Sequence, residues 1–307
     1  MCYISLNEYL KERFGAKVYK LALNAGMTCP NRDGKLGTRG CIFCSEGGSG
    51  DFAAPSYMSI EDQIEYAIRC ISKKLPKQYQ SNPNEVKFIA YFQAYTNTYA
   101  PVMQLRNVFF KAIERPDIVA ISIATRPDCL PDEVLELLAE INERKPVFVE
   151  LGLQSMHEET ARYIRRGYST ECFYEAVCNL NRLNIEVIAH IILGLPGESR
   201  EMILNTVNYL SGDHFKVSGV KLQLLHVLEG TDLAEDYKRG LFETFGFEEY
   251  IELVADCVML LPADMVIHRL TGDGPKALLI APEWSSDKRK VLQAINKKIK
   301  EKLENSS

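Results

Sequence analysis

Six short apolar runs rich in β-branched residues recur along the chain, each followed by a longer stretch of helical period. This alternation limits the possible folds more than any other feature of the sequence. The runs are KVYKLAL from Lys17, VKFIAYFQ from Val86, IVAISIAT from Ile118, VFVELGLQ from Val147, IEVIAHIIL from Ile185 and GVKLQLLHV from Gly219. Between them Ile60, Ile64, Ala67, Ile68 and Ile71, and likewise Val134, Leu137, Leu138 and Ile141, fall at helical spacing. Each such helix offers one apolar stripe to a sheet. Repeated βα units with near-continuous apolar strands predict a parallel sheet, either covered on both faces or curled into a barrel. No long internal repeat and no Gly/Ser-rich linker interrupts the series before about residue 230. Beyond it, helices near 231–240 and 246–261, the segment MVIHRLTGDGP and a charged final helix form a C-terminal extension.

Composition narrows the class of function only loosely. The 307 residues are 46% hydrophobic and carry a formal net charge of −5, which excludes a disordered or fibrous chain and gives no global signature of a nucleic-acid binder. A local basic patch remains compatible with RNA. The charged N-terminus MCYISLNEYLKERFGAK does not read as a signal peptide, and no apolar run is long enough for a membrane span, so a cytoplasmic protein without membrane contact is expected.

Nine cysteines without a secretion signal point to free thiols or metal ligation rather than disulfides. Three of them, Cys29, Cys41 and Cys44, lie in NAGMTCPNRDGKLGTRGCIFCSEGGSGDF, directly after the first predicted strand. Glycines let this loop fold back and bring Cys29 to the CIFC pair. A closed zinc site or an ordinary cubane needs four ligands, and this loop offers three. A [4Fe-4S] cluster on three cysteines leaves one iron open to a small molecule. A zinc knuckle completed by a distant histidine and a thioredoxin-like redox pair are the alternatives. The scattered Cys2, Cys70, Cys129, Cys172, Cys178 and Cys257 read mainly as small buried hydrophobes.

A three-cysteine loop after the first strand of a (βα)6 series resembles the radical S-adenosylmethionine (SAM) superfamily. VELGLQS with the later RRGYS, AHIILGLPGES and KLQLLHVLEGTDLAEDY resemble segments of its Elp3-like branch. CPNRDG, GCIFCSEGGSGDF, YFQAYTNTYAP, ATRPDCLPD and HRLTGDGP resemble the YhcC/YtqA subgroup. The C-x11-C-x2-C spacing departs from the superfamily's commonest C-x3-C-x2-C and is a mark of the subgroup. The resemblance implies an α/β fold, a partial (β/α)6 TIM-like barrel with a small C-terminal helical extension. Residues 1–230 would form the core, with the cluster loop at 24–52, and 231–307 the extension completing the barrel.

It also implies an enzyme holding a [4Fe-4S] cluster on Cys29, Cys41 and Cys44 and reductively cleaving SAM. Phe43 would pack beside the adenine. The superfamily's Gly-Gly-Glu segment after the second strand is absent; in its place FQAYTNTY offers Gln93 and Thr96 to the methionyl amine, with Tyr95, Asn97 and Tyr99 nearby. Glu150, buried in an apolar strand, needs a partner, for which a ribose hydroxyl pair is expected. Gln154 and Ser155 would share that pocket, and Arg166 would pair with the methionyl carboxylate. Gly194 and Gly197 would let the backbone approach the adenine. His190 reads as a hydrogen-bonded core histidine and His226 as better placed for substrate. Arg126 and Asp128 are either cavity groups or part of a turn. The basic final helix is either an RNA contact or a solvated face.

Subgroup members in Gram-positive bacteria are associated with tRNA wobble-uridine modification. That implies conversion of 5-carboxymethylaminomethyl-(2-thio)uridine to the 5-aminomethyl form. The implied partners are tRNA, an electron donor such as flavodoxin or ferredoxin, and a methyltransferase acting next. Alternatives are a radical SAM enzyme for another RNA or a metabolite, and a non-catalytic metal-binding adaptor.

Overall fold

The computed structural model describes residues 3–72, 75, 86–212 and 215–306. All six predicted strands form within three residues of their expected bounds: β1 (Lys17–Leu23), β2 (Val86–Phe92), β3 (Ile118–Thr125), β4 (Val147–Gln154), β5 (Glu186–Leu193) and β6 (Gly219–Leu224). They pair in sequence order, all parallel. Helices α1 (Leu6–Phe14), α2 (Ile60–Ser72), α3 (Val102–Ile113), α4 (Asp132–Arg144), α5 (Glu158–Tyr163), α6 (Thr170–Arg182) and α7 (Arg200–Tyr209) precede β1 or connect the strands. After the short β7 (Val227–Leu228) come α8 (Asp232–Lys238), α9 (Phe247–Leu260), β8 (Val266–Arg269), β9 (Leu279–Ala281) and α10 (Lys288–Ser306).

The sequence reading treats the whole C-terminal part as an extension of six strands. In the structure β8 joins the same sheet beside β6, giving seven parallel strands. At four residues, with His and Arg at its end, β8 is too short and too polar to stand out by periodicity. A single parallel bridge from Ser5 to Ile267 ties the segment before α1 to β8.

The two-residue period of the strands explains the layering. One face carries Leu21, Leu23, Phe88, Ala90, Phe92, Ile121, Ile123, Val149 and Leu151, all buried in the main core against the helices. On the inner face, Val18, Ile89, Ala120, Phe148 and Ile188 pack with Leu10 of α1, so that helix plugs one end of the lumen. Two residues further along the same strands stand Lys20, Tyr91, Ser122, Glu150 and His190. Alternation alone therefore sets a polar layer on top of the apolar plug, as in layered (β/α) barrels.

Helix α10 docks on α9: Lys298 reaches Glu252 at 3.1 Å and Lys302 reaches Asp256 at 2.8 Å. Lys297 and Lys300 pair within the helix with Glu301 and Glu304. Much of the helix's positive charge is thus neutralised locally. No helix among the described residues is long and apolar enough to cross a membrane. Cys129 and Cys257 are buried, Cys172 and Cys178 half-buried and Cys70 exposed, so the buried-hydrophobe reading fits only two of these five; Cys2 lies outside the described residues.

Candidate active site

A cavity of about 250 Å³ opens at the C-terminal ends of the strands and runs down to the polar layer. Cys29, Cys41 and Cys44 all face it. Their loop is fixed by its own side chains. Arg32 donates from Nη2 to the carbonyls of Cys44 (3.0 Å) and Ser45 (2.6 Å), and Gln93 donates from Nε2 to the Ser49 carbonyl (2.7 Å). Gly48 has φ +62°, and a Cβ there would stand 2.3 Å from the Tyr95 ring, so only glycine fits this crossing of loop and strand end.

The thiols lie within one another's electrostatic reach. Burial, then the neighbouring Cys44 and Cys29, push the Cys41 thiol up to about 12, against a hydrogen bond from Asn31. That bond, Asn31 Nδ2 to Cys41 Sγ, is 3.3 Å long, and the same nitrogen donates to the Arg165 carbonyl at 2.7 Å. Among the described residues no set of three His, Cys, Asp or Glu side chains is gathered as a single metal ion requires. Three thiols sharing one cavity wall suit an iron–sulfur cluster, whose size spreads its ligands further apart.

Glu150 stands at the inner end. Its carboxylate is wholly buried and both oxygens are taken: Oε1 accepts from Lys20 Nζ (2.6 Å) and Ser122 Oγ (2.8 Å), Oε2 from Lys221 Nζ and His190 Nε2 (2.9 Å). The expected ribose partner is therefore replaced by two lysines, a serine and a histidine of the protein. Burial pushes the carboxyl up, but the two lysines and the His190 hydrogen bond outweigh it and hold it well below the ordinary range. His190 falls to about 4, through burial first and the Lys221 charge next, so it is neutral at pH 7. Burial also drives Lys221 down to about 7; Glu150 opposes this, while Lys20 and Arg269 reinforce it.

The other expected groups divide. Gln93, Thr96 and Gln154 face the cavity, with Phe43, Tyr95, Arg126 and His226. Ser49, Tyr95 and Gln154 on its wall have φ of 62°, 60° and 57°, a left-handed region that non-glycine residues seldom occupy and that Arg165 and Asn184 also adopt away from the cavity. Arg166 also borders the cavity, yet all five of its N–H groups are spent. They go to the carbonyls of Tyr168, Leu153 and Ser155, to Glu158 Oε1 and to Thr170 Oγ1. The expected pairing with a ligand carboxylate would break this set. Ser155 lies behind the wall and donates to Glu198, and Asn97 donates to the carbonyls of Phe92 and Ala124. Gly194 and Gly197 lie off the cavity, and the Phe245 ring takes the space beside Gly194.

Sequence reasoning passed over Lys20, Lys221, Arg269, Asn31 and Arg32. The signal for the lysines was present. Each interrupts an apolar strand at an inward position, and the demand for a partner raised for Glu150 applied equally to them.

Comparison with known proteins agrees with this architecture. Residues 37–210 match the model for the radical SAM superfamily, and residues 217–301 that for the radical SAM C-terminal domain. The uncharacterized protein YtqA of Bacillus subtilis is 45% identical over 297 residues, spanning 97% of this chain and 89% of that protein. A tRNA uridine(34) acetyltransferase of Methanocaldococcus infernus is 30% identical over 163 residues, 53% of this chain and 30% of that enzyme. The structure of the Elp3 of Methanocaldococcus infernus superposes with a TM-score of 0.64 at 21% identity, covering 86% of this chain and 59% of that one. A (β/α) barrel with three thiols and a charged lumen at one end, together with these matches, places the chain in the Elp3-like branch of the radical SAM superfamily.

Proposed function

We propose that this radical SAM enzyme modifies the wobble uridine of tRNA, converting 5-carboxymethylaminomethyl-(2-thio)uridine to its 5-aminomethyl form. The observation that carries the reading is the single cavity in which three thiols and a buried, charged lumen layer meet. Similarity to a tRNA uridine(34) acetyltransferase over half the chain supports tRNA as the substrate.

In this reading Cys29, Cys41 and Cys44 hold a [4Fe-4S] cluster. When bound, the cluster supplies the electron that cleaves SAM to a 5′-deoxyadenosyl radical. The chain's own groups position and exclude water. Arg32, Gln93 and Asn31 fix the cysteine loop, Gln93, Thr96 and Gln154 supply polar contacts for SAM, and Phe43 supplies an apolar one. Arg166 acts one step back, holding the end of β4 where Gln154 sits. Ferredoxin or flavodoxin serves as reductant, and a methyltransferase takes the product.

The test is anaerobic reconstitution with iron and sulfide, then incubation with SAM, dithionite and bulk tRNA from a strain lacking the gene. 5′-Deoxyadenosine together with a changed wobble nucleoside is the expected result. 5′-Deoxyadenosine with unaltered tRNA would remove the substrate assignment, and neither product from cluster-loaded, reducible protein would remove the catalytic one.

A further inference from the structure

The lumen holds more positive charge than its own carboxylates neutralise. His190, Lys221 and Arg269 are register partners on the adjacent parallel strands β5, β6 and β8, so they form one row across the inner face. Glu150 is shared by Lys20 and Lys221. Asp273 is shared by Arg269 at 3.4 Å and Lys288 at 2.5 Å. Three cations around the lumen, Lys20, Lys221 and Arg269, thus meet two carboxylates, while the half-exposed Lys288 reaches Asp273 from outside the cavity lining. Nearer the mouth, Arg126 is matched by Asp128 and Arg166 by Glu158, and Arg32 is committed to the Cys44 and Ser45 carbonyls of the cysteine loop.

Beside this row stands His226, whose Nε2 is buried with no hydrogen-bond partner among the described residues. Its ring is held in place by close backbone: a Cβ on Gly272 would come within 2.6 Å of it. Burial outweighs the opposing Asp273 charge and, with Arg269 and Lys288 reinforcing it, keeps the ring neutral. A buried polar nitrogen and one surplus positive charge in the lumen both cost stability until an anion arrives.

We infer that Lys221, Arg269 and His226 form a subsite for the carboxylate of the substrate, the group that distinguishes a carboxymethylaminomethyl uridine from its aminomethyl product. Arg269 and Lys221 supply charge and His226 supplies an N–H donor. The subsite rests on the reaction proposed above, because that reaction begins from an acid and ends with an amine. It explains how one cavity accepts the first and releases the second.

The test compares two synthetic anticodon stem-loops, one with 5-carboxymethylaminomethyluridine and one with 5-aminomethyluridine, binding to cluster-loaded protein with SAM. Charge-assisted contacts of this kind predict a preference for the acid of about tenfold or more. Arg269→Gln is expected to collapse that preference, and His226→Phe to reduce it; the wild-type ratio stands as a test even if a variant fails to fold. Equal affinity for the two stem-loops, no binding of the acid, or a preference that survives both substitutions would overturn the subsite. Equal loss of both ligands on Arg269→Gln would assign the cations to an RNA phosphate and overturn it as well. A preference for the acid without turnover would keep the subsite and remove the proposed reaction.

Discussion

Asn31 donates to the sulfur of Cys41 at 3.3 Å while the same amide holds the Arg165 carbonyl at 2.7 Å, so one buried side chain ties a thiol to the loop after α5. N–H···S contacts stabilise added negative charge on a cluster and raise its potential. Asn31→Leu is expected to bind iron less tightly and to shift the cluster's midpoint potential to a more negative value, read by redox titration with EPR. An unchanged potential and iron content would show that the amide only braces the backbone.

The three cysteines differ from the other thiols in a way that chelation can reveal. Replacing Cys29, Cys41 or Cys44 singly by Ala is expected to abolish the brown chromophore after reconstitution and to bring 5′-deoxyadenosine formation to background. The folded helical signal in circular dichroism should remain. Cys257→Ala, in the core away from the cavity, serves as the comparison and should keep the chromophore.

The strand series was legible because a parallel sheet buried on its outer face writes long apolar runs, although the sixth run was read three residues past the end of β6. The cysteine loop stood out by its spacing and glycines, and the structure brings its three thiols to one cavity. What escaped was anything set by neighbours in the sheet rather than along the chain. Glu150 was found as a buried carboxylate, but its partners Lys20 and Lys221 lie 130 and 71 residues away. Strand β8 is visible only once β6 offers it an edge. Arg166 looked like a free ligand for an anion because nothing in RRGYS tells that three backbone carbonyls converge on its guanidinium. The space expected open at Gly194 is filled by a phenylalanine about 50 residues later in the chain.

That commitment of Arg166 gives a stability prediction. Its side chain is almost fully buried, and a lysine cannot reproduce a planar fork serving five acceptors. Arg166→Lys should lower stability by roughly 3 kcal/mol, the range for leaving buried polar groups unmatched, seen as a lower thermal midpoint before any cofactor is added. If instead the variant keeps its midpoint but loses affinity for SAM, Arg166 is a ligand-binding residue.

Glu150 makes the opposite test, of charge rather than shape. Glu150→Gln leaves Lys20 and Lys221 without a counter-charge in the lumen, and breaking one side of a buried ion pair costs about 3–5 kcal/mol. The double variant Glu150→Gln/Lys221→Met removes charge from both partners and should recover much of that loss. With Lys221→Met measured alone as well, losses that simply add in the double variant would mean the two residues act independently.

Lys221 should also make acid binding depend on pH in a definite direction. In the free enzyme its folded-state value of about 7 lies below its ordinary lysine value because burial and the charges of Lys20 on β1 and Arg269 on β8 outweigh Glu150 on β4. Tyr91 on β2 and His190 on β5 also face it, and both are neutral at pH 7. Between pH 7 and the ordinary lysine range the unfolded chain therefore binds the proton that the folded chain has released. Lys221's contribution to stability consequently rises with pH across that window. A bound carboxylate favours the protonated amine, so binding of the acid stem-loop at pH 8 should take up a fraction of a proton, and its affinity should fall as pH rises from 7 to 9. Calorimetry in two buffers of different ionisation enthalpy reads the uptake directly. Proton release on binding, or affinity that does not change over this range, would place the carboxylate away from Lys221.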